Sequence, residues 1–234
     1  GFKVNSGEYK LMGLAPYGEP IYAEEIKEKL IDIKEDGTFK LDISYFKYHR
    51  GFRMTSQKFH KLFGSPPRNT EGELTQFHMD LASSIQAVTE EVVIKIACSL
   101  RNETGIKNIC LAGGVALNCV ANGKLLEKKI FNDIWIQPAS GDAGSALGAA
   151  LIGWYEYSNK PRKVNPSDSM KGTYLGCNFS NEEIIHYLKN INAPFETYPD
   201  EELFERIALQ LEKGKVIGWF NGPMEFGPRA LGAR

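Results

Sequence analysis

The sequence predicts an α/β fold, and two successions of strand, glycine turn and helix are the main observations that predict it. The first has an apolar run over 109–112, then Gly113 and Gly114, then helix-spaced apolar residues. The second has a strand over 134–137, a turn over 140–142 and a small-residue helix over 143–155. Two glycine turns that feed helices are typical of a nucleotide site.

The elements before these turns follow from hydrophobic periodicity. Residues 7–18, GEYKLMGLAPYG, resemble a helix that ends in a ligand-facing loop, although spacing alone favours a surface turn. A short amphipathic helix is predicted over 22–31 and a strand over 39–46. Apolar residues recur every three or four positions over 73–103, which predicts a core helix roughly 45 Å long.

A change in composition over 158–171 predicts an interdomain linker. This stretch holds two prolines and several charges but few apolar residues. We therefore expect one domain over 1–157 and a second, mixed α/β domain over 172–234.

The second domain opens with a capping pattern. Ser180 followed by Glu183 predicts a helix start, and 200–214 predicts another amphipathic helix with a glycine stop. The run KVIGWFNG at 215–222 predicts a buried strand.

Composition excludes several classes of partner. The chain has 28 basic and 29 acidic residues, a net charge of −1, so no global field favours nucleic acid or an anionic membrane. No apolar run reaches the roughly 18 to 20 residues of a membrane span, and we expect a cytoplasmic protein. The four cysteines lack C-x-x-C spacing, which disfavours a zinc site, and Cys119 is interpreted as a buried structural thiol.

Each glycine turn has a chemical interpretation. Gly113 and Gly114 permit backbone angles closed to other residues and let a ligand lie against the main chain, beside the N–H groups of a helix start. An anionic or nucleoside group suits this place, and Asp142 projects a carboxylate from the second turn. Taken alone, either turn is equally consistent with a ligand site and with a tight turn in which glycine is needed only for the backbone geometry. Their succession favours the nucleotide site.

The last segment, 222–234, places charged side chains among glycines and prolines. The guanidinium of Arg229 could fork onto a phosphate or carboxylate, or it could pair with Glu225 to fix the loop. The chain starts without Met and stops directly after this segment, so we expect a fragment of a longer protein that is inactive when isolated.

Five motifs together carry a resemblance to a known family. The chain resembles the O-carbamoyltransferases, which include nodulation-factor and antibiotic carbamoyltransferases, and the similarity touches nearly the whole chain in order. The resemblance implies part of an actin-like ATPase (Kae1-like) domain followed by the start of a YrdC-like α/β domain. The motifs are GEYKLMGLAPYG, LAGGVALNCVANGKL, QPASGDAGSALGAAL, YLGCNFSNEEI and MEFGPRALGAR.

The resemblance also implies a reaction and its cofactors. The YrdC-like domain joins carbamoyl phosphate and ATP into carbamoyl adenylate and releases pyrophosphate. The Kae1-like domain passes the carbamoyl group to a hydroxyl of a sugar, aminoglycoside or lipo-oligosaccharide, with AMP as the leaving group. The sequence does not specify which acceptor, nor the oligomeric state.

Site residues follow from the resemblance position by position. Asp142 matches an aspartate that ligates a divalent metal, iron, whose other ligands include histidines upstream of this chain. Ala233 stands where the family usually has Asn, so a polar side chain is missing there. The residues assigned to ATP, adenylate or carbamoyl phosphate are Lys10, Gly13, Gly113, Gly114, Asn118, Ser140, Gly141 and Arg229.

Two other classes of protein stay open. An actin-like small-molecule kinase would share the glycine turns but transfer the γ-phosphate of ATP. A non-catalytic nucleotide-binding module would bind ATP and turn nothing over.

Overall fold

Helices and short strands alternate in the computed structural model, which describes residues 1–3, 7–70 and 72–228. The chain divides into two compact units, 1–137 and 138–234. The strands are β1 (Ile31–Ile33), β2 (Phe39–Leu41), β3 (Asn108–Leu111) and β4 (Asp133–Ile136). The α-helices are α1 (Glu8–Leu14), α2 (Ala23–Lys29), α3 (Gln57–Leu62), α4 (Gln76–Thr104), α5 (Cys119–Glu127), α6 (Gly144–Ile152), α7 (Asn181–Asn190) and α8 (Asp200–Glu212).

Helix α4 is the long core helix that periodicity predicts, and its two ends have clear local causes. Thr75 and His78 form a capping box, in which the Thr75 N–H donates to His78 Nδ1 at 3.0 Å. Gly105 ends the helix with a φ of +66°, in the left-handed region where glycine carries no Cβ penalty. Helix α4 therefore starts and stops within a few residues of the prediction.

One hydrophobic cluster lies between α4 and the elements that precede it. Ile26 of α2 and Val88 of α4 are buried with Leu30, Tyr45 and Phe63. Strands β1 and β2 pair antiparallel with Ile31 opposite Leu41 and complete this side of the unit. The predicted helix over 22–31 is shorter than expected because its last residue belongs to β1. The predicted strand over 39–46 ends early because the Asp42 carboxylate accepts the Ser44 N–H and starts a 3₁₀ turn.

The segment between α1 and α2 lies directly against α4. A Cβ at Gly18 would come within 2.1 Å of the Met79 carbonyl carbon, so only glycine fits this close approach. Beyond it, the Asp80 carboxylate accepts the Glu19 N–H at 2.9 Å and Ser84 Oγ accepts the Tyr22 N–H at 3.0 Å. Buried polar side chains of α4 thus satisfy the backbone of this segment.

Ion pairs join α2 to α4 at the rim of the cluster. Glu91 accepts from Lys27 at 3.2 Å and pairs with Lys95 at 3.3 Å. Burial raises the pKa of Glu91, but the hydrogen bonds from Lys27 and Lys95 outweigh burial, so that pKa lies below its ordinary value of 4.5. The charged form of Glu91 is therefore favoured in the folded state.

A pH-dependent stability follows for Glu91. Because its pKa is depressed on folding, its contribution is fully present above the ordinary pKa and is lost as pH falls through the folded value. We expect Glu91→Gln to lower the melting temperature of the whole protein by about 1–3 °C at pH 7 and by less at about pH 4, below the ordinary pKa. Calorimetry at both pH values measures this, with Glu127→Gln on an exposed end of α5 as control. A difference in melting temperature between Glu91→Gln and the wild type that grows on acidification would contradict this expectation.

Strands β3 and β4 form a parallel pair connected through α5. Their register places Ile109 beside Ile134 and Leu111 beside Ile136. Leu125 of α5 is 1% exposed and packs with Ala97 of α4 and Phe131. This packing fixes the glycine turn at the carboxyl end of β3 to the long helix.

The second unit contains α6, α7 and α8. Helix α6 continues as a π-helical turn over Gly153–Tyr157, which accounts for the longer predicted helix. Residues 158–170 form no helix or strand, and almost all of them are exposed. Ser180 and Glu183 form the predicted capping box at the start of α7, and α8 matches the predicted amphipathic helix.

The predicted buried strand at 215–222 is wrong. These residues form no strand, and Val216 is 98% exposed. Apolar character alone does not make a strand, because its backbone needs a ladder partner. The pairing found instead in the part of unit 138–234 that the structure describes is a bridge between Tyr174 and Glu225.

The mixture of helices and paired strands is compatible with the predicted α/β class. The domain boundaries at 157 and 172 stay predictions. Within the described ranges, every helix is too short or too polar to cross a membrane.

Candidate functional site

The first glycine turn is open to approach from outside. Gly113 adopts a φ of +96° and a ψ of 162°, and a short 3₁₀ turn, Gly114–Leu117, follows it. A Cβ placed on either glycine would meet nothing within 4 Å, and residues 112–115 are exposed. The predicted strand and tight turn are confirmed, although the 3₁₀ turn precedes the helix. The space in front of Gly113 and Gly114 suits a ligand that lies against the main chain.

Asn118 connects this turn to α5. Its Oδ1 accepts the Ala121 N–H at 3.0 Å and so caps the N-terminus of the helix. Asn122 Nδ2 donates to the Ala116 carbonyl at 2.8 Å, which holds the 3₁₀ turn against the same helix. The turn is therefore held in place by side chains that follow it in the sequence.

Sequence reasoning missed a buried polar group behind Asn118. Gln86 of α4 exchanges two hydrogen bonds with Asn118, at 2.9 and 3.2 Å, and donates to Glu90 Oε1 at 2.8 Å. Glu90 pairs in turn with Lys124 of α5. Gln86 and Glu90 are 8% and 6% exposed. The available signal was two polar residues four positions apart inside an otherwise apolar stripe of a helix.

Helix α1 reaches the start of α5. Met12 Sδ lies 3.9 Å from Cys119 Sγ, so α1, which contains Gly13, borders the first turn of α5. Lys10 is half-buried, with its ammonium 5.7 Å from the ring centre of Phe2. The interpretation of Cys119 as a buried thiol is wrong, since its position as the first helical residue leaves it exposed.

The second glycine turn belongs to the unit over 138–234. Ser140 is 7% exposed, and its hydroxyl has no hydrogen-bond partner among the residues that the structure describes. A Cβ on Gly141 would meet nothing within 4 Å. Asp142 is exposed just before α6, as predicted, and its carbonyl accepts the Ser145 N–H at 3.0 Å. A buried hydroxyl without a partner is costly, so a polar group that bonds Ser140 would be stabilising there.

The described residues do not fit a complete metal centre. Across 1–3, 7–70 and 72–228, no group of three His, Cys, Asp or Glu side chains is placed to hold a metal ion. Asp142 fits a single carboxylate ligand only.

Arg229 and Ala233 lie outside the described residues, and so does any pairing of Arg229 with Glu225. The assignments of Lys10, Gly13, Gly113, Gly114, Asn118, Ser140, Gly141, Asp142 and Arg229 to ligand or metal stay predictions.

Comparison with known families gives two matches. Residues 1–151 match the family described as carbamoyltransferase N-terminus, and residues 208–234 match carbamoyltransferase C-terminus. Both matches run in the order in which the motifs occur along the chain.

Individual relatives agree with the family matches. An uncharacterized protein of Synechocystis sp. is 57% identical over 100% of this chain and 38% of its own length. Nodulation protein NolNO of Sinorhizobium fredii is 36% identical over 97% of the chain and 31% of its own length. The 3'-hydroxymethylcephem-O-carbamoyltransferase of Streptomyces clavuligerus is 29% identical over 53% of the chain and 21% of its own length. The chain thus spans less than two fifths of these curated relatives.

Proposed function

Because this chain belongs to the carbamoyltransferase family, we propose that the whole protein transfers a carbamoyl group to a hydroxyl of a sugar or natural-product acceptor through carbamoyl adenylate. ATP and carbamoyl phosphate are its co-substrates. The part of the chain over 1–157 is proposed as the Kae1-like, actin-type domain that receives the adenylate, and 172–234 as the start of the YrdC-like domain. The name of the hydroxymethylcephem-O-carbamoyltransferase relative supports this class of acceptor.

The observation that carries the proposal is the open turn at Gly113 and Gly114. Its exposed backbone has no side chain in front of it, and Asn118 is held beside it. Phosphate oxygens accept hydrogen bonds only, so a turn that presents backbone and amide N–H groups suits an adenylate. Ser140 and Gly141 supply a second open turn, in which the Ser140 hydroxyl has no partner among the residues that the structure describes.

The proposed chemistry has three steps. Water attacks carbamoyl phosphate and releases inorganic phosphate, and the resulting carbamate oxygen attacks the α-phosphorus of ATP, with pyrophosphate as the leaving group. The acceptor hydroxyl oxygen then attacks the carbamoyl carbon, its proton passes to solvent, and the bond from that carbon to AMP breaks. Backbone donors near the carbonyl would stabilise the charge that develops on its oxygen.

Other parts of the proposal come from the resemblance. Asp142 is proposed as one carboxylate ligand of a divalent metal, iron, although the described residues do not complete such a site. Arg229 is proposed to bind carbamoyl phosphate or the phosphates of ATP. The reaction is proposed to take place in the cytoplasm.

Isotope exchange tests the adenylate step. We expect the whole protein to exchange labelled pyrophosphate into ATP only when carbamoyl phosphate is present. Release of γ-phosphate to an acceptor without exchange would replace the proposal with the kinase. ATP binding without either reaction would replace it with a nucleotide-binding module.

A further inference from the structure

We propose that Gln86 is a positioning residue that orients the side-chain amide of Asn118, so that Asn118 presents an N–H donor to the nucleotide at the glycine turn. This inference rests on the proposed function, because it assigns a role to a residue behind that site. It is carried by the chain of hydrogen bonds from Lys124 through the buried Glu90 and Gln86 to Asn118.

The hydrogen bonds of Asn118 define the orientation of its amide. Its Oδ1 accepts from the Ala121 N–H at 3.0 Å and from Gln86 Nε2 at 3.2 Å. Its Nδ2 donates to Gln86 Oε1 at 2.9 Å. An amide oxygen has two lone pairs and an amide nitrogen has two hydrogens. The oxygen is therefore saturated, whereas the hydrogen bonds of the described residues use only one of the two Nδ2 hydrogens.

Gln86 itself is held in one orientation by Glu90. Its Nε2 donates to Glu90 Oε1 at 2.8 Å, so a reversed amide would place Gln86 Oε1 against a carboxylate. The Glu90 side chain is only 8% exposed and pairs with the Lys124 ammonium. Its Oε1 accepts from Gln86 and its Oε2 from Lys124, so both carboxylate oxygens act as acceptors. The donor and acceptor of each hydrogen bond between Lys124 and Asn118 are therefore fixed, starting from the Lys124 ammonium.

The orientation of Asn118 decides what a ligand meets. A reversed amide would turn Nδ2 toward the Ala121 N–H, lose the helix cap and present an acceptor oxygen instead of a donor. An acceptor opposite phosphate oxygens would repel them, whereas an N–H would bind them. Gln86 therefore acts on the nucleotide through Asn118 and without contacting it.

A charge-preserving swap tests this role in the whole protein by calorimetric titration with ATP. Because the proposed YrdC-like domain also binds ATP, the binding event followed is the one that Gly114→Leu removes. Gln86→Glu removes the donor to Glu90 and brings two carboxylates together, and we expect ATP affinity to fall about tenfold. The double variant Gln86→Glu with Glu90→Gln relieves the contact between two carboxylates and keeps an acceptor for Asn118 Nδ2, but it places a carboxylate oxygen opposite Asn118 Oδ1. We expect it to restore part of the lost ATP affinity, about threefold of the tenfold loss.

Ser84→Ala is the matched control on the same helix. It removes another buried side chain, one that accepts the Tyr22 N–H. We expect it to lower the melting temperature and to leave ATP affinity unchanged.

A second measurement covers the case in which Gln86→Glu fails to fold. Gln86→Met and Asn118→Ala are made singly and together, and we expect the second change to add no further loss of ATP affinity. Losses that multiply would overturn the positioning role, and so would a swap that restores nothing or a Gln86→Glu variant that binds like the wild type. A wild-type protein that does not bind ATP would overturn the proposed function and this inference together.

Discussion

Replacing Gly114 by Leu is expected to abolish most of the transfer of the carbamoyl group from the adenylate to its acceptor in the whole protein. The new side chain would occupy the open space in front of the turn, where a Cβ meets nothing within 4 Å, so the fold tolerates it and the ligand does not. Displacing a reacting group by about 1 Å can cost a hundredfold in rate. We expect the rate at which label from carbamoyl phosphate reaches the acceptor hydroxyl to fall by at least about a hundredfold, whereas exchange of pyrophosphate into ATP, the reaction of the proposed YrdC-like domain, should persist.

Gly123→Leu is the control for this experiment. Gly123 lies within α5, and a Cβ there also meets nothing within 4 Å. Leucine favours a helix interior over glycine, so this variant should fold at least as well as the wild type. Equal rates of carbamoyl transfer by the Gly114→Leu variant and the wild type would show that the turn does not contact the adenylate.

Leu125→Ala is expected to cause the largest loss of stability. Leu125 is 1% exposed between Ala97 and Phe131, where truncation leaves a cavity between α5, α4 and the β3–β4 pair. Such a change costs about 2–5 kcal/mol. For a unit of this size, we expect the melting temperature of the transition that unfolds residues 1–137 to fall by about 5–15 °C.

The adjacent Leu126 supplies the control, because 59% of it is exposed. Leu126→Ala should change the melting temperature by less than about 2 °C. If both variants melted alike in calorimetry, the packing of α5 on α4 would not be what holds the glycine turn.

Features with local causes could be predicted from the sequence. The apolar run before Gly113, the capping residues Ser180 and Glu183 and the periodicity of α4 all depend on neighbours within a few positions. The strand expected around Val216 failed, because pairing of a strand depends on a distant partner that composition does not reveal.

In the candidate site too, features with local causes could be predicted and features that depend on distant residues could not. Gly113 and Gly114 were recognisable because their backbone requirement is local. The partner of Asn118 was not, because Gln86 lies 32 positions away and reaches it only after α4 packs on α5. Exposure of Cys119 likewise depends on which face of α5 meets the rest of the unit. Long-range packing, which single-residue patterns do not encode, decides these features.

The contacts of helix α4 limit where residues can be inserted into this protein or deleted from it. Asp80 and Ser84 accept hydrogen bonds from the backbone before α2. Gln86 is hydrogen-bonded to Asn118, and Glu90 forms an ion pair with Lys124. One residue inserted between Ser84 and Gln86 would rotate the second pair by about 100° relative to the first. Only one pair could then meet its partners. We therefore expect related proteins to vary in length in their loops and to keep the spacing between these four positions unchanged.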